Sequence, residues 1–174
     1  MEVFSVYDVG LTGTVPPLPA TLTELNIRSN GLTGTFPSVI PSGLAYLSIR
    51  ENQFTGTLPD ITMSTALEFL DGRNNNFEGT IPGPLPSTLT LLSLRTNKLS
   101  GIVPGPLPSG LTYLYLYTNS LSGMLPNLPN GPIACNLYFS GNDQNCFTNC
   151  QAPCDCTSPG RCAPPPTPAP TPNP

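Results

Sequence analysis

Apolar and polar positions recur along this chain in blocks of fixed length. In residues 111–126, LTYLYLYTNSLSGMLP, leucines stand at Leu111, Leu114, Leu116 and Leu121. Asn119, Gly123 and a closing Leu125-Pro126 complete the unit. The pattern is L-x-x-L-x-L-x-x-N-x-L-x-G-x-Φ-P, with Φ apolar, and it returns about every 22 residues. One copy is Leu22, Leu25, Ile27, Asn30, Leu32, Gly34, Phe36-Pro37, and the next is Leu44, Leu47, Ile49, Asn52, Phe54, Gly56, Leu58-Pro59. A third is Leu67, Leu70, Gly72, Asn75, Phe77, Gly79, Ile81-Pro82, with glycine in an aliphatic slot. A fourth is Leu89, Leu92, Leu94, Asn97, Leu99, Gly101, Val103-Pro104. An incomplete first unit holds Phe4, Val6, Leu11, Gly13 and Val15-Pro16, with Val9 in the asparagine slot. A degenerate last unit holds Leu137, Phe139 and Asn142, which makes seven coils over roughly residues 1–145.

The x-L-x-L-x segment has a period of two, so its leucines share one side and the x residues the other. One short strand per coil is predicted, pairing in parallel with the next coil about 4.8 Å away. Leucines, and Val, Ile or Phe further round, fill a continuous interior. The asparagine turns inward, where its amide serves backbone groups of neighbouring coils that water cannot reach. Thr12, Thr33, Thr55, Ser100 and Ser122, each before a glycine, are placed for surface hydrogen bonds.

A repeat of this length means stacked units, and the spacing resembles the leucine-rich-repeat family. The G-x-Φ-P ending resembles its plant-type subclass. The return segments depart from that subclass, in which a short helix is common. Here they read Pro16-Pro17-Leu18-Pro19, Pro82-Gly83-Pro84-Leu85-Pro86 and Pro104-Gly105-Pro106-Leu107-Pro108. Proline this dense blocks helix and favours extended or polyproline-type backbone. The L-P-x-x-L tail of these segments resembles the short bacterial-type repeats. The expected fold is a solenoid with a parallel sheet on the concave face, a mostly extended convex side with little helix, and a rather flat course.

Three regions follow: a solenoid over 1–134, a last degenerate repeat with a cysteine-rich cap over 135–162, and a proline-rich stalk or linker over 163–174. Cys135, Cys146, Cys150, Cys154, Cys156 and Cys162 all lie in the middle region. An even, clustered count at a solenoid end predicts disulfides and an oxidising, extracellular setting. Zinc at Cys150, Cys154 and Cys156 is the weaker alternative, since histidine is absent and the spacing irregular. Repeats followed by alternating Pro with Thr or Ala resemble the wall-associated leucine-rich-repeat extensins. That resemblance implies hydroxylated and glycosylated prolines and makes Thr157, Ser158, Thr167 and Thr171 candidate O-glycan sites; a bare spacer is the plain alternative.

Charged residues are 9% of the 174 and the net charge is −4, which argues against a general binder of nucleic acid or anionic membrane. No apolar run is long enough to span a bilayer and no signal peptide is visible, so the start reads as mature, trimmed or incomplete. With no histidine, Ser-His and Cys-His catalytic arrangements are excluded. No phosphate loop, metal-ligand cluster or nucleotide motif is present. Glu51 with Asp71 is a formal carboxylate pair, but neighbouring arginines are expected to lower both pKa values, the reverse of what a glycosidase acid needs. The chain therefore reads as no enzyme, with no cofactor and no metal.

Outward strand positions form columns. One reads Tyr7, Arg28, Arg50, Arg73, Arg95, Tyr117, Ser140 and holds four of the six basic residues. Arginines about 5 Å apart repel unless something neutralises them. The sharp reading is an anion track for acidic glycan, sulfate or a partner's carboxylates. The plain reading is internal pairing with Asp8, Glu24, Glu51, Glu68 and Asp71. A second column reads Ser5, Asn26, Ser48, Asp71, Ser93, Tyr115, Tyr138, and a third Val3, Glu24, Tyr46, Phe69, Leu91, Tyr113, Asn136. Tyr113, Tyr115, Tyr117 and Tyr138 then cluster beside Arg95, and Tyr46, Phe69 and Leu91 extend an apolar patch across the face. Such a patch suits sugar rings or a protein partner; ordinary cross-strand packing is the alternative.

At the other end, Phe4, Val6, Leu11 and Val15 face solvent beside an unpaired strand, an edge that invites head-to-tail self-association into a fibre or a covering upstream segment. Low charge, this edge and the stalk together favour a non-catalytic structural or adhesive role in an extracellular wall, matrix or filament. The alternative is a recognition module that binds a protein or glycan through the concave Tyr/Arg face. By resemblance to plant-type repeats that means a receptor ectodomain or an inhibitor of a wall-degrading enzyme.

Overall fold

Each leucine-bearing segment forms a strand, and a second strand follows it in the same coil. The computed structural model describes residues 2–123 and Pro126. The coils run β1 (Glu2–Ser5) and β2 (Thr12–Gly13), β3 (Leu22–Asn26) and β4 (Gly31–Thr35), β5 (Tyr46–Ser48) and β6 (Gln53–Thr57). They continue as β7 (Phe69–Asp71) and β8 (Asn76–Gly79), β9 (Leu91–Ser93) and β10 (Lys98–Gly101), β11 (Tyr113–Tyr115) and β12 (Ser120–Leu121). The odd-numbered strands make one six-stranded sheet and the even-numbered ones another, each in coil order. The degenerate unit at Leu137, Phe139 and Asn142, the six cysteines, Tyr138 and the candidate glycan sites lie outside the described residues.

The second sheet corrects the expectation of one strand per coil, and the asparagines explain it. Asn52 Oδ1 accepts the N–H of Leu32 at 3.1 Å, where β4 begins on the preceding coil. Asn75 does the same for Phe54, Asn97 for Phe77 and Asn119 for Leu99. Each Nδ2 donates to a carbonyl of its own coil and one of the coil before; for Asn75 these are Gly72 and Ile49, at 3.2 and 3.0 Å. A single amide thus satisfies three backbone groups and fixes the register in which the second strands pair. The residue before the asparagine slot turns the chain inward in the left-handed region, with φ between 52° and 58° at Asp8, Ser29, Glu51, Asn74, Thr96 and Thr118.

Repeat leucines such as Leu47, Leu70, Leu92 and Leu114 are buried in file. Phe54 and Phe77 stack at 6.0 Å, and Phe36 meets Phe54 edge-on at 5.5 Å. The glycine at position 72 sits in tight packing: a β-carbon there would come within 3.2 Å of Leu94 Cδ2, which would have to give by a few tenths of an ångström.

No helix occurs among the described residues, as the prolines predict. The L-P-x-x-L tail is a tight turn: the N–H groups of Leu22, Leu44, Leu89 and Leu111 donate to the carbonyls of Pro19, Pro41, Pro86 and Pro108 at 3.0–3.1 Å. Gly83 lets one return segment touch the next, since a β-carbon would lie 2.4 Å from Pro104 Cβ. In the first coil Phe4 and Leu11 are exposed, and Val6 and Val15 half-buried.

Candidate binding face

The register of the first sheet produces the columns read from the sequence. Val3, Glu24, Tyr46, Phe69, Leu91 and Tyr113 pair in one file, and Ser5, Asn26, Ser48, Asp71, Ser93 and Tyr115 in the next. Just beyond the strands, backbone bonds such as Ser29 N–H to the Arg50 carbonyl and Thr96 N–H to the Tyr117 carbonyl align the arginine file. This residue-per-coil spacing follows from strands pairing in register.

The middle file is not open surface. Ser48, Asp71 and Ser93 are 1%, 5% and 2% exposed. These short residues lie between Tyr46 and Phe69 on one flank and Arg50 and Arg73 on the other, a polar floor between an apolar shelf and a guanidinium wall. On the shelf, Tyr46 and Phe69 stack at 4.3 Å and 9°, both half-buried. Leu91 separates them from a second aromatic pair, Tyr113 and Tyr115, whose centroids are 6.2 Å apart. Tyr113 is exposed, while Tyr115 and Tyr117 are half-buried.

Two kinds of partner offset the repulsion along the arginine file. At its ends the partners are rings: Arg28 Cζ lies 4.2 Å above the Tyr7 centroid, and Arg95 Cζ lies 5.2 Å from that of Tyr117. Arg95 also donates from Nη1 to the Tyr117 hydroxyl. In the middle the partners are carboxylates. Arg50 and Arg73 each approach both Asp71, at 3.9 and 3.6 Å, and Glu51, at 4.0 and 3.8 Å. Internal pairing thus holds for Glu51 and Asp71. Among the described residues Asp8, Glu24 and Glu68 take no part in an ion pair.

Asp71 overturns one expectation. Its carboxyl is pushed up from 3.8 to about 6, because burial outweighs the pull of Arg50, of the Ser93 hydroxyl and of Arg95, and Glu51 adds repulsion. The arginines were expected to dominate; they do not, because the flanking side chains exclude the water that would solvate the charge. Sequence reasoning also missed the Ser29 hydroxyl, which donates to Glu51 Oε2 at 2.7 Å. The alternation of small and large residues across the three columns was the available signal for the buried floor. Among the described residues no cluster of His, Cys, Asp or Glu is arranged to hold a metal, and no helix is long and apolar enough to cross a membrane.

The Leucine Rich Repeat family model matches residues 21–42. The plant peptide hormone receptor RGFR1, solved in complex with RGF2, is 29% identical over 80% of this chain and 24% of its own, with a TM-score of 0.63. The leucine-rich-repeat ectodomain of the Arabidopsis receptor kinase HAESA, in complex with an N-terminally extended IDA peptide hormone, is 29% identical over 78% of this chain and 24% of its own, with a TM-score of 0.64. The leucine-rich-repeat ectodomain of the Arabidopsis thaliana receptor kinase SOBIR1 is 37% identical over 66% of this chain and 67% of its own, with a TM-score of 0.51. The chain spans about a quarter of the length of the first two. No curated protein sequence matches it.

Proposed function

The chain belongs to the leucine-rich-repeat family, and from that membership we propose that it is a non-catalytic recognition module whose concave face binds an extended segment of a partner protein outside the cell. One observation carries this reading: an apolar shelf of Tyr46 and Phe69 and a wall of Arg28, Arg50, Arg73 and Arg95 run in parallel files on either side of a polar floor. Flat aromatic area beside oriented guanidinium donors is the composition of protein hot spots. The peptide hormones bound by RGFR1 and HAESA speak for the same kind of occupant. In this reading Tyr113, Tyr115 and Tyr117 extend the contact toward the C-terminal end. The six cysteines close a disulfide cap, and the proline-rich tail is an extended stalk with Thr157, Ser158, Thr167 and Thr171 as its sugar sites.

A wall, matrix or filament role through the edge at Phe4, Val6, Leu11 and Val15 is the second reading, resting on the exposure of Phe4 and Leu11. The peptide-bound neighbours favour recognition over it. Selection of binders from a displayed peptide library against the full chain tests the choice. Phe69→Ala or Tyr115→Ala should weaken the selected peptides roughly tenfold. Selected peptides indifferent to both substitutions, together with a ladder of oligomers on sizing, would reverse the assignment.

A further inference from the structure

The middle of the arginine wall holds two carboxylates in unlike settings. Asp71 lies on the floor, its side chain 7% exposed, and its Oδ1 accepts the Arg73 backbone N–H at 3.3 Å. Glu51 lies on the solvent side, its side chain 39% exposed. Its backbone is left-handed, with φ at 56°, and Ser29 anchors Oε2 from the coil before. The other oxygen, Oε1, points to both guanidiniums, at 4.0 Å from Arg50 Nε and 3.8 Å from Arg73 Nη2.

None of the four guanidinium–carboxylate pairings is a hydrogen bond. All four pairings fall between 3.6 and 4.0 Å, where charge-assisted bonds of this type run at about 2.7–2.9 Å. Arg73 Nε is buried without any partner, an unmet donor in the heart of the wall. Arg50 and Arg73 thus share a Glu51 oxygen that stands within ion-pair range of both but hydrogen-bonds to neither. Glu51 is tethered by one oxygen to another coil and cannot advance without losing the Ser29 bond.

From this arrangement we infer that Arg50 and Arg73 form a carboxylate clamp for an acidic side chain of the partner segment, and that Glu51 is its resident, displaceable occupant. The inference deepens the recognition reading and rests on it. The ligand class follows from the occupant: what fits where Glu51 sits is another carboxylate, free to approach to hydrogen-bonding distance. Tyr46 and Phe69 stand on the same two coils across the floor, so the acidic residue is flanked by an apolar one that packs on that stacked pair. Glu51 lowers affinity for every anion at the clamp and so screens out weak acidic partners.

The test is fluorescence anisotropy of a labelled hexaglutamate peptide with the full chain at low salt and neutral pH. Glu51→Gln keeps the length of the side chain and removes its charge. It should tighten hexaglutamate about tenfold, as expected when loose pairing gives way to charge-assisted bonds. Glu24→Gln, which removes a charge on the same face that touches no arginine, should change it less than about twofold. Adding Arg50→Gln to Glu51→Gln should abolish the gain. The clamp is overturned if Glu51→Gln does no more than Glu24→Gln, if it weakens binding, or if neither protein binds the peptide. Tightening toward a sulfated polysaccharide run in parallel, without tightening toward hexaglutamate, also overturns the carboxylate assignment. Failure here leaves the selected-peptide result with Phe69→Ala and Tyr115→Ala standing, so the two readings fail separately.

Discussion

Asp71 accepts the backbone N–H of Arg73 on one carboxylate oxygen, at 3.3 Å, and stands 3.6 Å from the same residue's guanidinium on the other. Even so its pKa is raised to about 6, with burial the largest cause. The linkage is the reverse of the usual carboxylate. The folded state holds this proton more tightly than the unfolded chain does, so the ionised group opposes folding above about pH 6. Its stability cost is relieved as pH falls from about 6 toward the ordinary 3.8. Asp71→Asn should therefore raise the melting temperature at pH 7.5 by roughly 2–4 °C per kcal/mol relieved, and flatten its slope between about pH 4 and 6. A lower melting temperature at pH 7.5 would mean that the arginine pairing outweighs burial after all.

The asparagine ladder sets a larger effect. Asn75 is buried and satisfies the Phe54 N–H and the Ile49 and Gly72 carbonyls together. Asn75→Leu strands all three, at about 1–3 kcal/mol for each unpaired buried group. The melting temperature should fall by roughly 6 °C or more, read by circular dichroism. An unchanged melt would remove the ladder from the account of why coils stay in register.

Thr96 carries strain. It is exposed, β-branched and held at φ 56°, where Asn74 performs the same turn one coil earlier. β-Branched residues are genuine outliers in this region and asparagine is enriched there. Thr96→Asn should stabilise by about 0.5–1 kcal/mol, a rise of roughly 1–4 °C in the melt. A fall would show that the threonine side chain contributes something the turn geometry does not express.

The leucine and asparagine spacing made the coils and their columns legible, because register in a stacked repeat is set by counting. The alignment of Tyr46 with Phe69 and of Arg50 with Arg73 followed from that count alone. The second sheet was not legible: its segments, such as Gly31–Thr35, pair glycine with Thr and look like turn sequence until the amide of the next coil supplies a partner to their second N–H. Nor was the buried floor. Whether Asp71 is wet or dry depends on how side chains of the neighbouring files lean over it, and the only trace of that in the sequence is the contrast of small and large residues across the three columns. The same blindness reversed the sign of its pKa. Glu51 was visible as an acid near arginines, but its tether to Ser29 depends on the left-handed turn at Glu51, which the sequence does not mark.

The most direct measurement is a hydrogen-exchange footprint of a library-selected peptide on the full chain. The account predicts protection centred on the first sheet over residues 46–51, 69–73 and 91–95, with the peptide's affinity falling roughly tenfold on Phe69→Ala. Protection confined to residues 2–15, or to the proline-rich return segments, would contradict it.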